Sequence, residues 1–254
     1  MFRTLGLAAV LAVAFAASAG AQTKIRVGVE GNYPPFSQIS PDGKLSGFDI
    51  DIANAVCAEM KVECTLVQQE FDSIIPALNA KKFDMIVASM TITDERKKSV
   101  EFSDSYYDVP SRWVAKKGAF KEHSAEALKG KKIIVARNTP RAKHVADNYP
   151  GSETLLVNKE TDVYLELAAG RGDIGFGSSV VSAESFLKKE QGKDFETVGQ
   201  PVRVGLGAGV GIAVRKNETE LRDKINAALK TIKANGTYKS LQDKYFDFDI
   251  SGGA

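Results

Sequence analysis

The chain has 254 residues, 43% hydrophobic and 26% charged, with 34 Lys+Arg against 32 Asp+Glu. That length allows one large domain or two modest ones, and the composition is that of an ordinary folded protein rather than a disordered or fibrous one. A near-neutral balance, with no basic run interleaved with aromatics, argues against a nucleic-acid surface.

Arg3, the apolar run Leu5 to Ala17 and Ala19-Gly20-Ala21 have the order of a secretory signal peptide with its cleavage site. The apolar run is shorter than the ~20 residues needed to span a bilayer. The mature chain is therefore expected to begin near Gln22, soluble and exported. Lys24 to Val29 alternates like a strand, with Ile25, Val27 and Val29 on one face. The polar turn Glu30 to Phe36 follows, stiffened by Gly31, Pro34 and Pro35. Gly47 to Asp51 opens a helix on which Ile50, Ala53, Cys57 and Met60 keep helical spacing. Val62 to Val67 is a second strand, and Phe71-Asp72-Ser73 leads a second helix. Cys57 and Cys64 are the only cysteines. In an oxidising compartment such a pair is expected to form a disulfide; without nearby histidines it makes a poor metal site.

Phe83 to Arg96 is the densest stretch. Phe83 to Ala88 suits a strand buried on both faces, Ser89, Met90 and Thr91 follow at its carboxyl end, and Thr93 is a candidate N-cap for a turn holding Asp94, Glu95 and Arg96. Ligands of open α/β sheets collect beyond the carboxyl ends of strands. Hydroxyls, free N–H groups and one guanidinium gathered there suit a carboxylate, although the same residues also fit an ordinary strand-to-helix connection. After a break at Tyr106 to Pro110 the alternation restarts. Lys132 to Ala136 is a strand, Val163 to Ala169 a helix, Asp173 to Gly177 a strand and Ser182 to Lys188 a helix. Gly205 to Gly211 is glycine-rich, and its third glycine fails the dinucleotide fingerprint. Ile212 to Val214 is a strand and Glu218 to Asn235 a helix, with Asn217 and Glu220 as a capping box and Gly236 as C-cap. Tyr238, Leu241 and Tyr245 mark a last helix. Two α/β units joined by two breaks imply two lobes with a cleft, a favoured place for ligands.

KIRVGVEGNYPPFS, GFDIDIANAVC with Cys64 seven positions on, FDSIIPALNAKKFDMIVASMTIT-x-x-R, EFSDSYY, AAGRGD and GTYKSLQDKYF occur in this order. The ordered set, over essentially the whole mature chain, resembles the periplasmic polar amino-acid-binding proteins of ABC importers, above all the lysine/arginine/ornithine- and histidine-binding branch. The resemblance implies a type II two-lobed fold, each lobe a sheet flanked by helices, with two hinge crossings. Lobe 1 is expected over 22–110 plus 207–254, lobe 2 over 111–206, and the signal peptide over 1–21. It also implies roles by position. Arg96 would take the ligand carboxylate bidentately, and Ser89, Met90 and Thr91 would line the same end. Tyr33 and Phe71 would sandwich the aliphatic part, and Glu30 would face a cationic end. The implied partners are a small amino acid or derivative and an inner-membrane permease, with the protein a monomer in the periplasm and no metal or cofactor.

The second lobe departs from that pattern. Where the family has a hydroxyl-rich turn, this chain reads Arg137-Asn138-Thr139-Pro140-Arg141. Thr139 keeps a hydroxyl, Pro140 removes an N–H and Arg141 adds a cation. Ser178 stands where the basic amino-acid binders carry an Asp for the ligand's α-ammonium. An arginine-derived opine, with a secondary amine and a second carboxylate, is therefore an alternative ligand, although the opine branch tends to have Trp where Phe71 stands. Relatives with this fold include dehydratases, for which Glu30 would be the catalytic candidate. Only His123 and His144 are present and no hydrolase or P-loop motif occurs, so binding is the expected activity. Uptake and chemosensing use the same lobe closure and are not separable from these residues.

Overall fold

The computed structural model describes residues 23–204 and 209–251. The signal segment 1–21, Gly205 and Gly207 lie outside the described residues. Thirteen strands and eight α-helices are described. They are β1 (Lys24–Val29), β2 (Asn32–Tyr33), β3 (Ser37–Ile39), β4 (Leu45–Ser46), α1 (Phe48–Glu59), β5 (Glu63–Gln68), α2 (Ile74–Asn79), β6 (Met85–Ile86), α3 (Asp94–Lys97), β7 (Val100–Tyr107), β8 (Ser111–Lys116), β9 (Lys132–Ala136), α4 (Pro140–Asn148), β10 (Glu153–Val157), α5 (Glu160–Ala168), β11 (Ile174–Ser178), α6 (Ser179–Ser182), β12 (Phe195–Val202), β13 (Val210–Arg215), α7 (Thr219–Ala234) and α8 (Thr237–Tyr245).

Two five-stranded sheets carry the molecule. One has the order β5-β1-β6-β13-β7, the other β10-β9-β11-β8-β12. In the first, β1 pairs in parallel with β5 and β6, and β13 lies antiparallel to β6 and β7. In the second, β9 pairs in parallel with β10 and β11, and β8 lies antiparallel to β11 and β12. The plan is repeated: three parallel strands, then two that carry the chain across. The chain passes between the sheets from β7 to β8 and returns from β12 to β13. Asp108 and Arg203, one on each crossing, form an ion pair.

The turn after β1 is locked to α1. Gly47 offers no side-chain cap, and the carbonyls of Pro35 and Phe36 accept the N–H groups of Phe48 (3.1 Å) and Asp49 (2.8 Å) instead. A Cβ on Gly47 would collide with the Phe36 carbonyl, and its φ of 127° is one that L side chains avoid. Beneath the turn, Phe36 stacks on Tyr107 at 4.7 Å and meets Phe246 at 5.3 Å. Burial of these rings fixes where Glu30 and Tyr33 stand. The Cys57–Cys64 disulfide ties the last turn of α1 to β5.

Several local expectations need correction. The strand expected over Phe83 to Ala88 is a two-residue ladder, although Asp84 N–H and Val87 N–H still bond to β1 carbonyls at 2.8 and 3.0 Å. Ser182 to Lys188 is not one α-helix: α6 ends at Ser182 and a π-helical turn follows over Ala183–Leu187. No capping box forms at α7. Asn217 takes a left-handed φ of 68°, and the Glu218 side chain accepts from Arg215 Nε at 2.8 Å.

Candidate functional site

The site lies where the carboxyl ends of the parallel strands of both sheets converge. Glu30 follows β1, Phe71 lies just beyond β5, and Ala88, Ser89 and Thr91 follow β6. From the other sheet, Ala136 ends β9, with Thr139 and Pro140 just after it, and Asn158 and Glu160 follow β10. With Arg96 and Arg141 these residues line one cavity between the two sheets.

On the first wall, Thr93 caps α3 by accepting from Arg96 N–H at 3.2 Å. The capped turn turns the Arg96 side chain back toward the strand end. Its Nη1 donates to the Thr91 carbonyl at 2.8 Å and its Nη2 reaches the Asn138 carbonyl of the opposite wall at 2.9 Å. The guanidinium lies 5.3 Å from the centre of the Phe71 ring. Burial, and then the charge of Arg141, lower the Arg96 pKa to about 10, so it stays cationic at neutral pH. Ser89 holds a left-handed φ of 51° and its hydroxyl donates to Asp49 Oδ2 at 2.7 Å. Tyr106 donates to the other oxygen of Asp49 at 2.7 Å. Burial outweighs both bonds and lifts the Asp49 pKa to about 6. Glu30 is buried too, and burial, reinforced by the charges of Glu160, Asp49 and Glu70, lifts its pKa to about 8.

On the second wall, Thr139 caps α4: its Oγ1 accepts from Ala142 N–H at 3.1 Å and donates to the Ala136 carbonyl at 2.7 Å. Pro140 is the first residue of that helix, where its missing N–H costs nothing. Arg141 then points into the cavity, with its side chain 12% exposed, and its Nη2 pairs with Glu160 Oε2 at 2.5 Å. The same Nη2 donates to the Tyr33 hydroxyl across the cleft at 3.4 Å. Glu160 Oε1 accepts the N–H of Ser178. For Arg141, burial works to lower the pKa, but Glu160, Tyr33 and Tyr164 raise it further, and the net shift is upward.

Glu30, Tyr33, Phe71, Ser89, Thr91, Arg96, Thr139 and Arg141 are thus brought together on one cavity. Met90 and Ser178 are not on its lining. The Met90 side chain packs with Phe83 and Ile86, while its carbonyl accepts Gly211 N–H at 3.1 Å. Ser178 ends β11 behind Glu160 and is buried. Glu160, Asn158 and Asp49 are the residues that sequence reasoning missed. A signal existed for Glu160, an acid in the first turn of the helix that follows a strand, but β10 itself went unread. Among the described residues no group of His, Cys, Asp and Glu is arranged to hold a metal ion. No described helix is long and apolar enough to cross a membrane.

Residues 25–248 match the family of bacterial extracellular solute-binding proteins, family 3. This chain belongs to that family. It is 48% identical over 236 residues to an L-arginine-binding protein of Pseudomonas aeruginosa, covering 91% of each chain. It is 37% identical over 254 residues to a histidine-binding periplasmic protein of Escherichia coli strain K12, covering 98% of each. Among solved structures, an ancestral arginine-binding protein bound to arginine superposes with a TM-score of 0.82 at 37% identity, covering 89% of this chain and 99% of that one. The fold is therefore the two-lobed one of periplasmic binding proteins, and the family's activity is binding rather than catalysis.

Proposed function

We propose that this chain is the binding component of an ABC importer for a cationic α-amino acid of the arginine, lysine and ornithine class. It would act in the periplasm after loss of residues 1–21, as a monomer that docks on an inner-membrane permease. Lobe 1 is 22–110 plus 207–254 and lobe 2 is 111–206.

The observation that carries the ligand class is charge. Glu30 and Glu160 line the cavity and Asp49 stands behind Ser89, three acids against the two guanidiniums of Arg96 and Arg141. Once a ligand cation displaces the proton that burial keeps on Glu30, they leave one buried negative charge, which a ligand of net +1 balances. An arginine-derived opine carries two carboxylates and brings no net positive charge. The cation that suggested a second carboxylate, Arg141, is already paired with Glu160. The similarity to a protein named for arginine supports the same class.

In this reading Arg96, oriented by two carbonyls and by Phe71, takes the carboxylate of the ligand, and Glu30 takes its distal cation. Tyr33 and Phe71 pack the methylenes. Lobe 2 then closes, because the ligand reaches both walls only when the cleft is shut. Calorimetry with arginine, lysine, ornithine, histidine and octopine tests the class. A cationic amino acid is expected to bind at micromolar affinity or better, and Arg96→Ala to lose at least about 100-fold. Octopine binding more tightly than arginine would overturn the ligand class. Near-native affinity of Arg96→Ala would overturn the site.

A further inference from the structure

Four buried side-chain polar atoms among the described residues have no hydrogen-bond partner: Trp113 Nε1, Arg141 Nε, Tyr164 Oη and Ser178 Oγ. Buried polar atoms are rarely left so. Three of the four surround one carboxylate. Arg141 is bonded to Glu160 Oε2, and the Ser178 backbone to Glu160 Oε1. Tyr164 Oη and Glu160 Oε1 press on the same point beside Gly177, where an added Cβ would meet both.

Glu160 is not saturated by these bonds. An ionised carboxylate offers about four acceptor positions, and Arg141 and the Ser178 N–H occupy two. It also faces the cavity. Across that cavity stands Arg96, close enough to Arg141 for each charge to be felt by the other. Around this end of the cavity two cations, Arg96 and Arg141, are followed by one acid, Glu160. An α-amino acid has the complementary head, a carboxylate and one carbon away an ammonium. The ammonium is a donor only, and in a buried place it needs an acid. Glu30 is the other acid of the cavity, but it stands after β1 on the first wall, and the bonds of the two guanidiniums run to Thr91, Asn138, Tyr33 and Glu160 instead. In the proposed function it takes the far end of the ligand.

We propose that Glu160 receives the α-ammonium of the ligand, with Arg141 as the positioning residue that keeps its carboxylate turned inward. This rests on the reading of the ligand as an arginine-class amino acid. It moves the recognition of the amine off position 178, where no acid stands, and onto the first turn of α5.

The test is calorimetry of the full chain with arginine, its α-hydroxy analogue argininic acid, and citrulline, which lacks the distal cation. In Glu160→Gln, arginine is expected to weaken at least about 30-fold and argininic acid less than about threefold. The ratio of arginine to citrulline should stay within about threefold of the wild type. Glu160→Gln leaves Arg141 unpaired, so Glu160→Gln with Arg141→Gln is measured alongside, and the same collapse of discrimination between arginine and argininic acid is expected. Equal loss for arginine and argininic acid would mean a structural role and overturn the proposal. A loss read only in the ratio of arginine to citrulline would place Glu160 at the distal end and overturn it too. A wild-type protein that binds no cationic amino acid would instead overturn the proposed function.

Discussion

At the scale of single residues, two buried acids make stability depend on pH. The Glu30 pKa rises from 4.5 to about 8 and that of Asp49 from 3.8 to about 6, burial being the first cause of each. Both pKa values are raised on folding, so in the window between the two values the folded protein holds a proton that the unfolded chain has released. Stability of the ligand-free protein therefore falls as pH rises through those windows, by up to about 1.4 kcal/mol per pH unit for each group. Above pH 6 the Glu30 contribution remains. His144 works the other way, because burial lowers its pKa. The difference between wild type and Glu30→Gln isolates the Glu30 share. Scanning calorimetry from pH 6 to 8 is expected to show the melting temperature of wild type falling relative to Glu30→Gln, and saturating arginine to remove that difference. Parallel curves for the two proteins would rule the mechanism out.

At the scale of elements, the Cys57–Cys64 bridge joins α1 to β5 and neither cysteine lines the cavity. Closing so short a loop is worth about 2–3 kcal/mol in the chain-entropy account. The double substitution Cys57→Ser, Cys64→Ser should lower the melting temperature by roughly 5–10 °C. Affinity for arginine should stay within about twofold of wild type. Calorimetric melting together with a binding isotherm checks both halves. The elements that carry this region were legible in the sequence, because β1, α1 and β5 advertise their buried faces through periodicity. So was the first wall, where an apolar run, a capping Thr93 and Arg96 stand in one continuous stretch. The second wall was less so. β10 has the sequence ETLLV and mixes exposed with half-buried positions at the edge of its sheet, so no apolar run announces it. With β10 unread, Glu160 had no strand end to stand on. The capping box failed for a different reason: Asn217 and Glu220 fit it in spacing, but the Glu218–Arg215 pair set the helix start.

At the scale of the whole molecule, the walls are joined by few direct bonds. Arg96 reaches Asn138, Arg141 reaches Tyr33 at the long distance of 3.4 Å, and Lys159 pairs with Glu70 at 3.7 Å. The last pair is partly exposed, and such pairs contribute about 0–1 kcal/mol. The mutual repulsion of Arg96 and Arg141 opposes them. Closure without ligand is thus weakly held, and in the proposed function a ligand carboxylate between the two cations would reverse the sign. Small-angle scattering should show a radius of gyration that falls on addition of arginine toward the roughly 17 Å of a compact chain of this size. An unchanged radius at saturation would count against ligand-driven closure.

The bond between Ser89 and Asp49 carries a consequence of direction. A hydroxyl has one hydrogen, and that of Ser89 is committed to Asp49 Oδ2. Toward the cavity the oxygen has only lone pairs to offer. Ser89 is therefore no oxyanion donor while Asp49 is ionised, and in the proposed function a ligand carboxylate would find its hydrogens on Arg96 and on main-chain N–H groups. The polarity of the pocket is written one residue behind its surface: Asp49, which no ligand would touch, decides which end of a zwitterion Ser89 can greet.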